Sequence, residues 1–218
     1  NCCFGPNTNI YAGRIDEVDK LSKVSMKSFV EKYIPEKEYK GEKIVKDIFD
    51  ECIYAFNSFE KNGEKITEAK QIKAVSILPN NWGKLYNVTF NNIGTISMTP
   101  DQKVWLGDID NNGNKKLIEA SKIDAGKYSS IISSIEIVDS TEPVYDIEIA
   151  SKEHIFTVYS DSDSEGVEVH NCRLVSDSEM FDLGGEVSSL GMSQISLGSH
   201  RVVAINFNRI ALEANGDK

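Results

Sequence analysis

Residues 170–172 read His-Asn-Cys, and each carries chemistry that its neighbours complete. The side-chain amide of Asn171 can attack its own backbone carbonyl and expel the amine of Cys172, which breaks the chain between them. Cys172 carries a thiol, whose ionised form is the strong nucleophile near neutral pH, so it can receive an acyl group. His170 sets a proton donor beside the asparagine. Alone, the tripeptide reads better as an asparagine-containing loop beside a buried cysteine. The other end of the chain shifts that balance. There Asn1-Cys2-Cys3-Phe4-Gly5-Pro6-Asn7-Thr8-Asn9-Ile10 puts a second thiol nucleophile, Cys3, ahead of a polar turn and a β-prone segment.

Taken together, these ends resemble the termini of an intein. Cys3-Phe4-Gly5-Pro6-Asn7-Thr8-Asn9-Ile10 is similar to the opening pattern Cys-Leu-x-x-Asp-Thr-x-Ile, and His170-Asn171 before Cys172 is similar to the closing one. The resemblance implies a mini-intein over residues 3–171, with residues 1–2 and 172–218 as flanking exteins. The space between Met98 and Ile131 is too short for a homing endonuclease. The implied fold is all-β, the horseshoe-like fold of hedgehog and intein domains with one or two short helices. The implied activity is self-splicing through an acyl shift, transthioesterification and asparagine cyclisation, with no cofactor.

The same resemblance assigns further residues. Thr99-Pro100-Asp101-Gln102 is similar to the family's Thr-x-x-His motif, with Gln102 in the place of the histidine. Glutamine can hydrogen-bond a scissile amide but cannot pass a proton to a leaving nitrogen, so the first step is expected to be slow or differently assisted. Val144-Tyr145-Asp146-Ile147-Glu148-Ile149, followed by His154, is similar to a second motif. It implies that Asp146 tunes Cys3 and that His154 assists cyclisation of Asn171. Without the flanking motifs, both read as ordinary strand residues. Joining the flanks gives Cys2-Cys172-Arg173-Leu174, which resembles the active-site loop of an anaerobic, glycyl-radical ribonucleoside-triphosphate reductase. A disulfide among Cys2, Cys3 and Cys172 would remove a nucleophile and stop splicing.

Composition narrows the alternatives. A net charge of -10 argues against nucleic acid or an anionic membrane as a standing partner. No apolar run is long enough to span a bilayer, and no signal-peptide core opens the chain, which reads as soluble and cytoplasmic. The intein resemblance implies a monomer that acts on its own exteins. The four cysteines show neither zinc spacing nor a secreted disulfide framework, and Cys52 reads as a core filler. Asp108, Asp110, Asn112 and Glu119 match the spacing of a calcium loop, but Lys115 and Lys116 sit inside it and flanking helices are missing, so a polar β-turn is the better reading. Two rivals remain: cleavage at the C-terminal junction alone, or a decayed domain that no longer splices.

The elements that must position these residues are mostly strands. Residues 53–56 and 66–78 are β-prone and joined through Lys61-Asn62-Gly63-Glu64, a hairpin signal. Residues 84–90, 94–98, 103–106, 115–118, 131–138, 145–149 and 155–159 continue the pattern through short polar turns. Asn87-Val88-Thr89 reads as strand rather than as a glycosylation site. Residues 25–33 predict a short helix, residues 41–50 a second one, and residues 11–24 carry no strong pattern. Residues 172–218 have a glycine-rich middle and little apolar mass, and are expected to pack poorly.

Overall fold

The computed structural model describes residues 3–16, 22–61, 64–162 and 165–171, with side chains outside 57–67. Internal contacts divide the chain into two units, Asn1–Leu174 and Val175–Lys218, and every described residue belongs to the first. Among the described residues there are thirteen β-strands and one α-helix, so the all-β expectation holds.

Strand β5 (Glu64–Leu78) is the spine of the largest sheet, because its 15 residues serve different neighbours at each end. Its first half pairs with β4 (Tyr54–Lys61), and Lys61 opposite Glu64 sets the register of the expected hairpin. The turn residues Asn62 and Gly63 lie outside the described residues. Its second half is flanked by β11 (Val144–Ile149) on one edge and β3 (Ile44–Asp47) on the other. Every residue of β11 is buried, and Ile72, Val75, Ile77 and Leu78 of β5 are too, as a strand covered on both faces requires. Strands β1 (Asn9–Gly13) and β2 (Ser22–Ser25) complete this sheet in the order β11-β5-β4-β1-β2.

Two smaller sheets carry the rest. One is ordered β10-β6-β7, from Ile132–Asp139, Lys84–Phe90 and Gly94–Met98. The other is ordered β12-β13-β8-β9, from Ile155–Val158, Val167–His170, Lys103–Ile109 and Lys115–Glu119. Helix α1 (Met26–Glu31) starts at Ser25, whose Oγ accepts the Ser28 N–H at 3.2 Å, and buries Met26, Phe29 and Val30, the i, i+3, i+4 face. The core joins Phe4, Phe90, Phe156, Ile72, Ile77 and Met98. Each such side chain, fully buried, contributes about 1.5–3 kcal/mol.

Several sequence expectations are corrected. Residues 41–50 are not a helix: Gly41 takes a φ of 87° and the chain then runs as β3, with Ile44 opposite Ile77. The apolar residues there fit a helix face, but Val45 and Phe49 end up exposed, because the open edge of β5 offers ladder hydrogen bonds that a short helix cannot match. Cys52 is not a core filler: it is exposed and holds a left-handed φ of 54° after the 3-10 turn Phe49–Glu51. Residues 11–24 hold parts of β1 and β2, short strands without an apolar alternation of their own. Among the described residues no helix is long and apolar enough to cross a membrane.

Candidate active site

Cys3 is wedged between the end of β7 and β11. Phe4 exchanges backbone hydrogen bonds with Tyr145 at 2.9 and 3.0 Å, and the Gly5 N–H donates to the Ser97 carbonyl at 2.9 Å. Gly5 is required here by space, since a Cβ would meet Ser97 Oγ at 2.6 Å. Phe4 itself stacks edge-on against Phe156, ring centres 5.9 Å apart, and both are fully buried. The Cys3 side chain is enclosed with Leu78, Leu85 and Val144.

Thr99 holds the backbone of Cys3. Its Oγ1 accepts the Cys3 N–H at 3.0 Å and donates to the Cys3 carbonyl at 3.2 Å, while its own N–H donates to that carbonyl at 2.9 Å. One hydroxyl can serve in both roles at once. The nitrogen so held belongs to the peptide bond between residues 2 and 3, so Thr99 grips the atom that must leave if that bond becomes a thioester.

Asp146 follows Tyr145 on β11 and is fully buried, with Oδ1 accepting the Ile147 N–H at 2.9 Å. Facing it across the ladder, Ser76 Oγ donates to the Asp146 carbonyl at 3.5 Å. The Tyr145 phenol, pushed up to about 12 by burial and then by Glu31, Glu36 and Glu142, keeps its proton and offers no base.

The second junction sits at the end of β13, between β12 and β8. His170 lies opposite Ile155 on one side and Lys103 on the other. The Asn171 N–H donates to the His154 carbonyl at 2.9 Å. His154 reaches this place from a left-handed φ of 51° in the turn Ser151 to His154, a conformation that costs a non-glycine residue on the order of 1 kcal/mol. The rings of His154 and His170 meet edge to face, centres 6.0 Å apart. Burial, then Lys103 and then His154, hold His170 below its ordinary value, so at neutral pH it is an uncharged ring able to take or pass a proton.

Asn171 is fully buried, and neither Oδ1 nor Nδ2 has a hydrogen-bond partner among the described residues. A buried polar group without a partner costs about 1–3 kcal/mol, and natural structures leave few of them. Here two fall on one side chain whose amide nitrogen is the candidate nucleophile.

The turn Thr99 to Gln102 between β7 and β8 spans both junctions. It is closed by the Gln102 N–H donating to the Thr99 carbonyl at 3.0 Å. Thr99 at one end grips Cys3. At the other, Gln102 Nε2 donates to the His170 carbonyl at 2.8 Å and to the Lys103 carbonyl at 3.1 Å. Gln102, expected at the N-terminal junction, thus has its amide donors committed to the C-terminal one.

Sequence reasoning missed the backbone contributors: the His154 carbonyl, the Tyr145 ladder and the His170 carbonyl. Main-chain groups leave no signature in residue type, so no motif could have named them. Cys2 and Cys172 lie outside the described residues, and with them the expected disulfide among Cys2, Cys3 and Cys172.

The residues of the weak calcium candidate have protein partners, in keeping with a polar turn. Asp108 accepts from the Tyr128 hydroxyl at 2.6 Å and from Lys127 Nζ at 3.3 Å, bonds that hold its carboxyl below the usual range. Asp110 caps the turn by accepting the Asn112 and Asn114 N–H groups, each at 2.8 Å, and Glu119 pairs with Lys122 at 2.8 Å. These carboxylates each stabilise local structure, and among the described residues no group of three or more His, Cys, Asp or Glu converges.

No protein-family model and no curated protein sequence matches the chain. Solved structures do. The transcription factor IIB Mvu mini-intein superposes with a TM-score of 0.55 and 12% identity, covering 78% of this chain and 99% of that one. An intein from a hyperthermophile gives 0.55 and 15%, covering 78% and 100%. A KlbA intein precursor from Methanococcus jannaschii gives 0.53 and 23%, covering 80% and 94%. The chain therefore has the intein fold, and about four-fifths of it matches nearly the whole of each of these structures.

Proposed function

We propose that residues 3–171 excise themselves and join residue 2 to residue 172 by a peptide bond. The observation that carries this reading is the Thr99 to Gln102 turn, one end of which holds the Cys3 nitrogen and the other the carbonyl before Asn171. A fold that only bound a ligand would have no need to hold both ends of one segment through four residues.

The chemistry runs in four steps. The Cys3 thiol, losing its proton, attacks the Cys2 carbonyl. The carbon–nitrogen bond to Cys3 breaks, and its nitrogen leaves as an amine. Thr99, already bonded to that nitrogen, orients it, while the missing histidine leaves the proton to come from elsewhere. The Cys172 thiol then takes the acyl group and returns the Cys3 thiol. Next, Asn171 Nδ2 attacks its own carbonyl carbon, the bond to the Cys172 nitrogen breaks, and a proton moves from Nδ2 to that nitrogen. His154 and His170 flank this step. Finally the Cys172 amine attacks the adjacent thioester, an intramolecular reaction that needs no further assistance. Every nucleophile is part of the chain, so no cofactor is required.

The flanks, residues 1–2 and 172–218, are the exteins. Their joined sequence supports an anaerobic ribonucleotide reductase as the host. A disulfide among Cys2, Cys3 and Cys172 then acts as a redox gate on the first two steps. Intact-mass spectrometry of the purified chain over time, with and without a phosphine reductant, tests the reading. Excised 3–171 together with ligated 1–2 and 172–218 is the expected result, appearing only under reduction if the gate operates. Splicing in both conditions removes the gate, release of 172–218 alone leaves C-terminal cleavage, and an inert chain in both refutes splicing.

A further inference from the structure

The Gln102 amide has both of its protons committed at the C-terminal junction, to the carbonyls of His170 and Lys103. This orientation is fixed by chemistry, since turning the amide over would press its oxygen against two carbonyl oxygens. Its Oε1 is buried and has no partner among the described residues. A side chain that spends both donors on one end of the chain, at the expense of its own acceptor, is organised for that end.

The peptide plane between His170 and Asn171 is consequently held on two edges. Gln102 Nε2 takes its oxygen at 2.8 Å, and the His154 carbonyl takes its N–H at 2.9 Å. With that plane fixed, the remaining motions of Asn171 lie beyond it: χ1 and χ2 bring Nδ2 up to its own carbonyl carbon, and ψ turns the carbonyl face toward it. The carboxamide itself is buried without a partner among the described residues, so no hydrogen bond must break before it turns. Removing motions that do not lead to attack is the usual way an intramolecular reaction is accelerated.

On the splicing reading, we infer that Gln102 is a positioning residue for cyclisation of Asn171, holding the His170–Asn171 peptide plane while Nδ2 closes on the Asn171 carbonyl. The residue in the first-step histidine's place has thus become part of the third step. It touches neither atom of the bond that forms, and moves no proton.

The test separates the two junctions in the full chain. A Cys3→Ala background blocks the first step and leaves release of 172–218 as the readout of cyclisation. An Asn171→Ala background blocks cyclisation, and release of residues 1–2 by hydroxylamine then reads the first step. Gln102→Met, of similar length but without a donor, is expected to slow release of 172–218 about tenfold, the effect of one hydrogen bond. Hydroxylamine release is expected to change less than threefold. Gln102→Glu supplies a second, fold-independent readout, because its carboxyl donates to the His170 carbonyl only while protonated. Its cyclisation rate relative to the Gln102 parent falls as pH rises through the carboxyl's titration, whereas the Gln102→Met ratio stays flat. Lys103, His154 and His170, the neighbouring titratable groups, are present in every protein compared. Equal losses at both junctions, or no loss at the C-terminal one, overturn the inference and leave splicing intact. If the Cys3→Ala parent itself releases nothing, cyclisation is absent and the splicing reading fails first.

Discussion

Thr99 Oγ1 accepts the Cys3 N–H at 3.0 Å and gives its own proton to the Cys3 carbonyl at 3.2 Å. One hydroxyl thereby ties the candidate nucleophile to the turn that also reaches the His170 carbonyl.

Thr99→Val keeps the shape and removes both of these bonds. Two hydrogen bonds of about 1 kcal/mol each correspond to a ten- to hundredfold loss in the first step. Hydroxylamine release of residues 1–2 from the Asn171→Ala background measures it, and a rate equal to that of the parent rules out a role for Thr99 at this junction.

Phe4→Ala removes a fully buried ring that packs on Phe156. The loss is expected at about 3–5 kcal/mol. Chemical denaturation checks the magnitude. A loss below about 1 kcal/mol would mean that the N-terminal segment is not integral to the core.

His154 supplies a carbonyl from a left-handed backbone at φ 51°. His154→Gly relieves that backbone cost but frees the unfolded chain, two effects of similar size, so stability should shift by no more than about 1 kcal/mol. Loss of the imidazole is expected to slow release of 172–218 from the Cys3→Ala background. Unchanged release would reduce the residue to its carbonyl.

The folded environment holds His170 below its ordinary value of 6.5, by burial first and then by Lys103 and His154. Between the depressed folded value and the unfolded one, the unfolded chain binds more protons, so stability rises with pH across that window. The contribution is complete above about 6.5, the unfolded value, and is lost as pH falls through the folded one. Melting temperatures at pH 7.5 and 5.5 should therefore fall further for the parent than for His170→Gln, and an equal fall in both removes this group as the cause.

Much of this site was legible one residue at a time. Cys3, Asn171 and His170 announce their chemistry by type and by place at the ends of one segment, and Thr99 and Asp146 fall in strand-flanking motifs. The β-prone runs became strands where alternation or an all-apolar stretch was strong, as in β5, β6 and β11. Segments whose strand character comes only from a partner were not legible. β3 reads as a helix until the open edge of β5 claims it, and Cys52 reads as core until a left-handed turn exposes it.

By itself, then, the sequence named the candidate reactive groups and determined the β-rich character of the chain, because side-chain chemistry and local periodicity travel with the residues. Which main-chain groups the Gln102 amide bonds was decided by tertiary structure alone. The β13–β8 register sets His170 against Lys103, and that places a main-chain oxygen within reach of the Gln102 amide. Such a contact pairs a side chain with a peptide group 68 residues away, and no residue type encodes where a peptide oxygen will stand.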